Sequence, residues 1–202
     1  MSTPSSPRQG NLFTDGGSLA AASFLSPTPD LTLARAQLLA WQQAVGRFQA
    51  PLFASSREDA EQGDLFGGPG GSARAINPLE LRAQTLHFWR WPQAPQQGAA
   101  LYFVLDTPAG EPLSLLLYVG ETGRADQRWK GEHGCKQYLA AYSEAIGRAA
   151  LSCQLSIRFW LDVPQPVRPR RQLEQALIRR WQPPFNKETR QRWATPFTAD
   201  PG

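Results

Sequence analysis

Hydrophobic positions along this chain follow three different spacings. Leu31, Ala34, Leu38, Trp41, Val45 and Phe48 recur at steps of three and four. That is one apolar stripe of a helix, with Asp30 as its cap and Pro51 just beyond its end. Leu101–Leu105 and Leu115–Val119 are short, nearly continuous apolar runs, the pattern of buried strands. Thr107 to Pro112 between them is turn chemistry, so the two runs form a β-hairpin. A hairpin centred near Gly110 pairs residues whose numbers sum to about 220, which sets Tyr102 directly opposite Tyr118 on one face of the sheet. Farther on, Cys135, Leu139, Tyr142 and Ile146 lie on one side of a helix running from Cys135 to Gly147. Leu155–Leu161 alternates as a third strand. A proline-rich link from Val163 to Pro169 then leads to a helix with the stripe Leu173, Ala176, Leu177 and Trp181. Asn77-Pro78-Leu79-Glu80 has the composition of a helix start: a cap, a proline at the first position and an acid at the third.

These elements predict an α/β fold: a small, mostly antiparallel three-stranded sheet flanked by helices, with a helical N-terminal extension. Residues 1–29, rich in Ser, Pro, Gly and Ala, are expected to be disordered. Residues 30–95 form the extension, with a flexible linker near 54–75. Residues 96–192 form the sheet domain and 193–202 a tail. Leu86-His87-Phe88-Trp89-Arg90-Trp91 is strongly aromatic and reads as a hydrophobic bridge onto that domain, with His87 a packed or exposed histidine and not a ligand. With 202 residues, 41% of them hydrophobic, the chain can build a core. No apolar run reaches the roughly 18–20 residues of a membrane span. MSTPSSPRQG has no apolar segment of the signal-peptide kind. The two cysteines, Cys135 and Cys153, have no metal-ligand spacing and read as thiols in a reducing compartment. A cytoplasmic protein with no membrane partner is the expectation.

Charge changes the picture. Residues 1–92 are neutral overall, whereas 93–202 hold fourteen basic and ten acidic residues. The excess falls late, at Arg168, Arg170, Arg171, Arg179, Arg180, Lys187, Arg190 and Arg192. A basic stripe of this kind suits a polyanion, and an ordinary solvated helix face fits it equally well. The stretch Leu115 to His133 empties a buried strand into a turn carrying Glu121, Arg124, Asp126, Arg128, Lys130, Glu132 and His133. Chemistry is often presented this way, from a rigid support.

Ala100-Leu101-Tyr102, Tyr118-Val119-Gly120, Arg128 eight residues later, His133, Glu174 in QLEQALIRRW and Asn186 in PPFN follow one another in an order and spacing that resembles the GIY-YIG nuclease superfamily. The resemblance covers about Gly98 to Asn186. It implies a metal-dependent DNA endonuclease, expected in repair or recombination. Tyr102, Tyr118, Arg128, His133, Glu174 and Asn186 would be the catalytic residues, and Glu174 would be the ligand of Mg2+ or Mn2+. Phosphodiester hydrolysis needs these types. A carboxylate can hold a hydrated Mg2+. An arginine can clamp a phosphate with two donors. A tyrosine with a lowered pKa can orient or deprotonate water, and a histidine can share the proton. Arg124, Lys130, Arg170, Arg171 and Lys187 are the candidate DNA contacts. Glu121 stands where many members of the superfamily have a lysine. That departure keeps open a module that binds DNA without cutting it, and an interaction adaptor built on the N-terminal half is a third reading.

Gln9-Gly10-Asn11-Leu12-Phe13 and Gln62-Gly63-Asp64-Leu65-Phe66 are near repeats. They resemble the pentapeptides by which bacterial DNA-repair proteins bind the replication sliding clamp. Gln9, Leu12, Phe13, Gln62, Leu65 and Phe66 are the candidate clamp-binding residues: a hydrogen-bonding amide followed by two apolar anchors. Docking of each Leu-Phe pair on this protein's own surface is the alternative.

Overall fold

The apolar runs form one antiparallel sheet. The computed structural model describes residues 29–61, 73, 76–87, 97–108, 112–127 and 134–195. Among these, the strands are β1 (Ala100–Asp106), β2 (Leu115–Thr122) and β3 (Leu155–Trp160), in the order β2-β1-β3. The helices are α1 (Pro29–Glu61), α2 (Gly134–Arg148), α3 (Val167–Trp181) and the single turn α4 (Arg190–Trp193). No described helix is long and apolar enough to cross a membrane.

All seven residues of β1 are buried, because both faces of the sheet are covered. On one face Ala100, Tyr102 and Val104 meet Leu38, Trp41 and Val45 of α1 and Cys135, Leu139, Tyr142 and Ile146 of α2. On the other, Leu101, Phe103 and Leu105 meet Leu173, Leu177, Ile178 and Trp181 of α3. The stripes predicted for α2 and α3 are therefore the buried ones. Cys135 and Cys153 are free thiols.

The strand register corrects the hairpin expectation. Tyr102 faces Gly120, and Val104 faces Tyr118. The pairing is offset by two residues, so the tyrosines are diagonal neighbours and not directly opposed. An even offset preserves the face, and the two rings lie 5.9 Å apart between centroids. Beyond Tyr118 the register shifts: Leu105 faces Leu116, which leaves Leu117 as the extra residue of a β-bulge. The bulge lets Leu117 and Tyr118, adjacent in sequence, both turn toward the first core.

Two further expectations change. α1 does not stop at Pro51 but continues to Glu61, so the first part of the predicted linker is helical. Ala73, placed in the same linker by composition, is buried in the second core. A proline inside a helix forfeits one hydrogen bond, yet this turn is pinned on both sides. Before it, Val45 lies in the first core; after it, Leu52 and Phe53 pack against the second. α1 thus passes around the free edge of β2, and tertiary contacts override the local stop signal.

Asn77 caps as its sequence predicts, accepting from the Leu79 N–H at 3.0 Å. Only a 3-10 turn follows, Pro78–Glu80. The Arg158 guanidinium, from β3, takes the carbonyls of Pro78, Leu79 and Leu81. Those are acceptors that a continuing helix would use. The chain instead runs to Gln84, which pairs with Ile157 on the outer edge of β3.

At the end of β1, Asp106 is fully buried. Burial pushes its carboxyl above the usual range, and hydrogen bonds from the Tyr142 hydroxyl and the Gln154 N–H partly oppose that. Gln42 of α1 donates to the same hydroxyl at 2.8 Å, so this polar network ties α1, α2 and β1 together.

Candidate active site

β2 is an edge strand. Its outward N–H and C=O groups need partners, because an unpaired buried backbone group costs about 1–3 kcal/mol. The partners come from three distant segments. Gln49 of α1 exchanges two hydrogen bonds with Leu116, accepting from its N–H at 2.8 Å and donating to its carbonyl at 2.9 Å. The same amide donates to the Trp181 carbonyl. The bulged residue Leu117 accepts from the Phe185 N–H at 3.0 Å. Asn186 repeats the two-way exchange on Val119, at 2.9 and 2.8 Å. Glu174 of α3 accepts from the Glu121 N–H at 3.0 Å. The bulge explains the numbering: the outward positions are 116 before it and 119 and 121 after it.

Four of the residues singled out by the sequence lie on or against the end of β2: Asn186 and Glu174 on its outward edge, Tyr102 and Tyr118 on the face toward α1 and α2. Tyr102 is fully buried, and its ring lies over Gly120. A Cβ at position 120 would fall inside contact distance of the ring carbons and the hydroxyl, so only glycine allows the ring to lie there. Tyr118, half-buried, lies beside it. Glu174, also half-buried, is on the flank of the α3 stripe, as its helical position predicts. Asn186 holds the Val119 backbone through both atoms of its amide. Arg128, His133 and Lys130 lie outside the described residues, as do Gln9, Leu12, Phe13, Gln62, Leu65 and Phe66.

The candidate DNA contacts divide. Arg124 and Lys187 are exposed. Arg171 is exposed and its Nε lies 3.3 Å from Glu121, a contact worth little at the surface. Arg170 is a correction: its side chain is 2% exposed. Its Nε donates to the Glu121 carboxylate at 2.8 Å, and its Nη1 donates to the carbonyls of Pro164 and Gln165. Pro164 and Pro166 have no N–H to offer, so the loop before α3 gains its donors from this guanidinium. Arg170 is therefore used inside the fold and not on a DNA backbone. Elsewhere in the late basic stripe, Arg190 lies over the Tyr138 ring and Arg192 over Phe48.

Nothing in the local pattern pointed to Gln49 or to the Glu121–Arg170 pair. In the sequence Glu121 stands out only as one charge of the turn after β2 and as a departure from the expected lysine. As for a metal, Glu174 offers a carboxylate with one oxygen held by a main-chain N–H. A single carboxylate suits Mg2+, which is commonly bound by one or two carboxylates and keeps several waters. Compared with protein-family models, with curated proteins and with solved structures, the chain matches none.

Proposed function

We propose that this protein is a metal-dependent DNA endonuclease of the GIY-YIG type, cutting phosphodiester bonds in DNA repair or recombination. The observation that carries the reading is the end of β2. Within three residues it carries the Gly120 over which Tyr102 lies, the Val119 held by Asn186 and the Glu121 N–H that holds Glu174. Of these, Tyr102, Val119, Gly120, Glu174 and Asn186 are among the residues on which the sequence resemblance rests, and Glu121 is the departure from it.

In this reading Glu174 holds Mg2+ or Mn2+. When bound, such an ion would supply the Lewis acidity that neutralises charge on the phosphodiester. Tyr118, the more accessible of the two phenols, orients the attacking water and, as the phenolate formed once its own proton has passed to solvent, takes a proton from it. Tyr102 fixes the Tyr118 ring from beneath. Asn186 holds the Val119 peptide and with it the strand end. Arg128 clamps the phosphate and His133 shares the proton transfer. Arg124, Lys130, Arg171 and Lys187 carry the DNA backbone.

Glu174→Ala tests this. It is expected to leave the fold intact, because Glu174 flanks the core without filling it. It should lower Mg2+-dependent cleavage of plasmid, flap or branched DNA by about two orders of magnitude or more. Wild-type cleavage by the variant removes Glu174 from the site. Binding without cleavage by the wild type, with either metal, favours the reading motivated by Glu121: a DNA-binding module that keeps the fold and not the chemistry.

The two Gln-x-x-Leu-Phe segments point to a sliding clamp as partner, and two copies would add avidity on a clamp with several equivalent grooves. Peptides covering residues 7–15 and 60–68 should each bind purified clamp. Leu65→Ala together with Phe66→Ala should abolish binding of the second. Failure of both peptides to bind ends the idea.

A further inference from the structure

We infer that Arg170 is a positioning residue for Glu174, acting through Glu121; the inference rests on the nuclease reading of Glu174. Arg170 and Glu174 stand one turn apart on α3, and the hydrogen bonds of Arg170 go to Glu121, Pro164 and Gln165. Arg170 reaches Glu121 through its side chain, and Glu174 reaches the same residue through its main chain. The Arg170 guanidinium has three acceptors from two elements: the Glu121 carboxylate at the end of β2, and the carbonyls of Pro164 and Gln165 before α3. Its Nη2 also lies 3.6 Å from where a Cβ on Gly123 would be, against the turn that follows β2.

A buried guanidinium is costly unless its donors are used, and a planar fork with fixed acceptors holds its partners at fixed angles. Glu121 is therefore gripped at both ends. Its backbone is set by pairing with Leu101, and its carboxylate by Arg170. The N–H between these anchors is the donor to Glu174 Oε1. Through this relay the start of α3 and the end of β2 are clamped together, and the direction of the Glu174 carboxylate follows. Pairing with Arg170 and Arg171 also offsets the negative charge of Glu121 next to Glu174. The acid in the place of a lysine is thereby the lower half of a clamp, and not a stray charge facing phosphate.

The test uses the full chain and two readouts. Amide NMR and hydrogen exchange follow the main-chain N–H of residue 121, with Glu174→Ala as the reference for a lost acceptor. Arg170→Lys keeps the charge and loses the fork. Glu121→Ala keeps the N–H and loses the carboxylate, so it reads the same relay from the other end if Arg170→Lys does not fold. Both variants are expected to move the residue 121 amide resonance toward its position in Glu174→Ala and to speed its exchange about tenfold or more. Arg170→Lys should also lower the cleavage rate about ten- to a hundredfold with DNA affinity changed less than about twofold. An unmoved amide in both variants overturns the inference whatever the activity. A moved amide with wild-type cleavage overturns it too, because the carboxylate direction would then not matter. Should the wild type cut no DNA at all, the nuclease reading fails, and the amide data still decide whether the relay exists.

Discussion

At the β3 edge a backbone unit closes the sheet: Gln84 donates its N–H to the Ile157 carbonyl and accepts from the Ile157 N–H, both at 2.9 Å. At the β2 edge side-chain amides make the same two-way exchange twice, Gln49 on Leu116 and Asn186 on Val119. The hydrogen bonds are alike, and both edges are protected from pairing with another chain. What differs is who supplies them. A backbone bridge tolerates almost any side chain. A side-chain bridge depends on one residue type, and it leaves neighbouring edge positions free to hold other groups. The β2 edge can therefore take a glutamate at Glu121 where another amide could have been, and the candidate chemistry gathers on that edge.

The largest expected effect comes from Gln49→Leu. It preserves the size of the side chain but strips partners from the Leu116 N–H and carbonyl and from the Trp181 carbonyl. With these groups left buried, unfolding in urea should show a loss of about 3–5 kcal/mol. A loss below about 1 kcal/mol would mean that water replaces the amide and that the edge is not closed by Gln49.

Asn186→Asp is expected to cost about 2–4 kcal/mol at neutral pH. One oxygen keeps the Val119 N–H, but the other then faces the Val119 carbonyl where a donor stood. Protonating the introduced carboxyl restores a donor. Its folded-state pKa therefore lies above its unfolded one, and the stability recovered in acid is lost as pH rises. Denaturation midpoints of variant and wild type measured from acid to neutral pH should diverge as pH increases. Parallel profiles would show that the amide nitrogen contributes nothing on this edge.

Gln84→Ala on the opposite edge should shift stability by less than about 0.5 kcal/mol, since only backbone groups of Gln84 pair there. Gln84→Pro, which removes the N–H, should cost about 1–3 kcal/mol. Equal costs for Gln84→Ala and Gln49→Leu would erase the contrast between the edges.

Local periodicity carried much of the fold. Steps of three and four named the buried faces of α2 and α3, continuous apolar runs named β1 and β2, and the alternating run Leu155–Leu161 named β3. The shared face of Tyr102 and Tyr118 was also legible, because it depends only on parity. Their exact pairing was not, since the bulge at Leu117 is set by contacts on both faces and by the Phe185 N–H. The helix break at Pro51 was read from local rules and overruled by Leu52 and Phe53 in the second core.

At the site, the sequence singles out Tyr102, Tyr118, Glu174 and Asn186; the fold sets the last two on the edge of β2 and the tyrosines on the adjoining face of the sheet. It did not reveal Gln49, nor that Arg170 is buried with Glu121. Gln49 with Leu116, and Val119 with Asn186, are each 67 residues apart, and Arg170 and Glu121 are 49 apart. A pattern of faces says which side of an element is covered. Which polar group meets which across the gap between elements is fixed only when the chain folds, because each backbone group on an open edge takes whichever partner tertiary structure delivers to it.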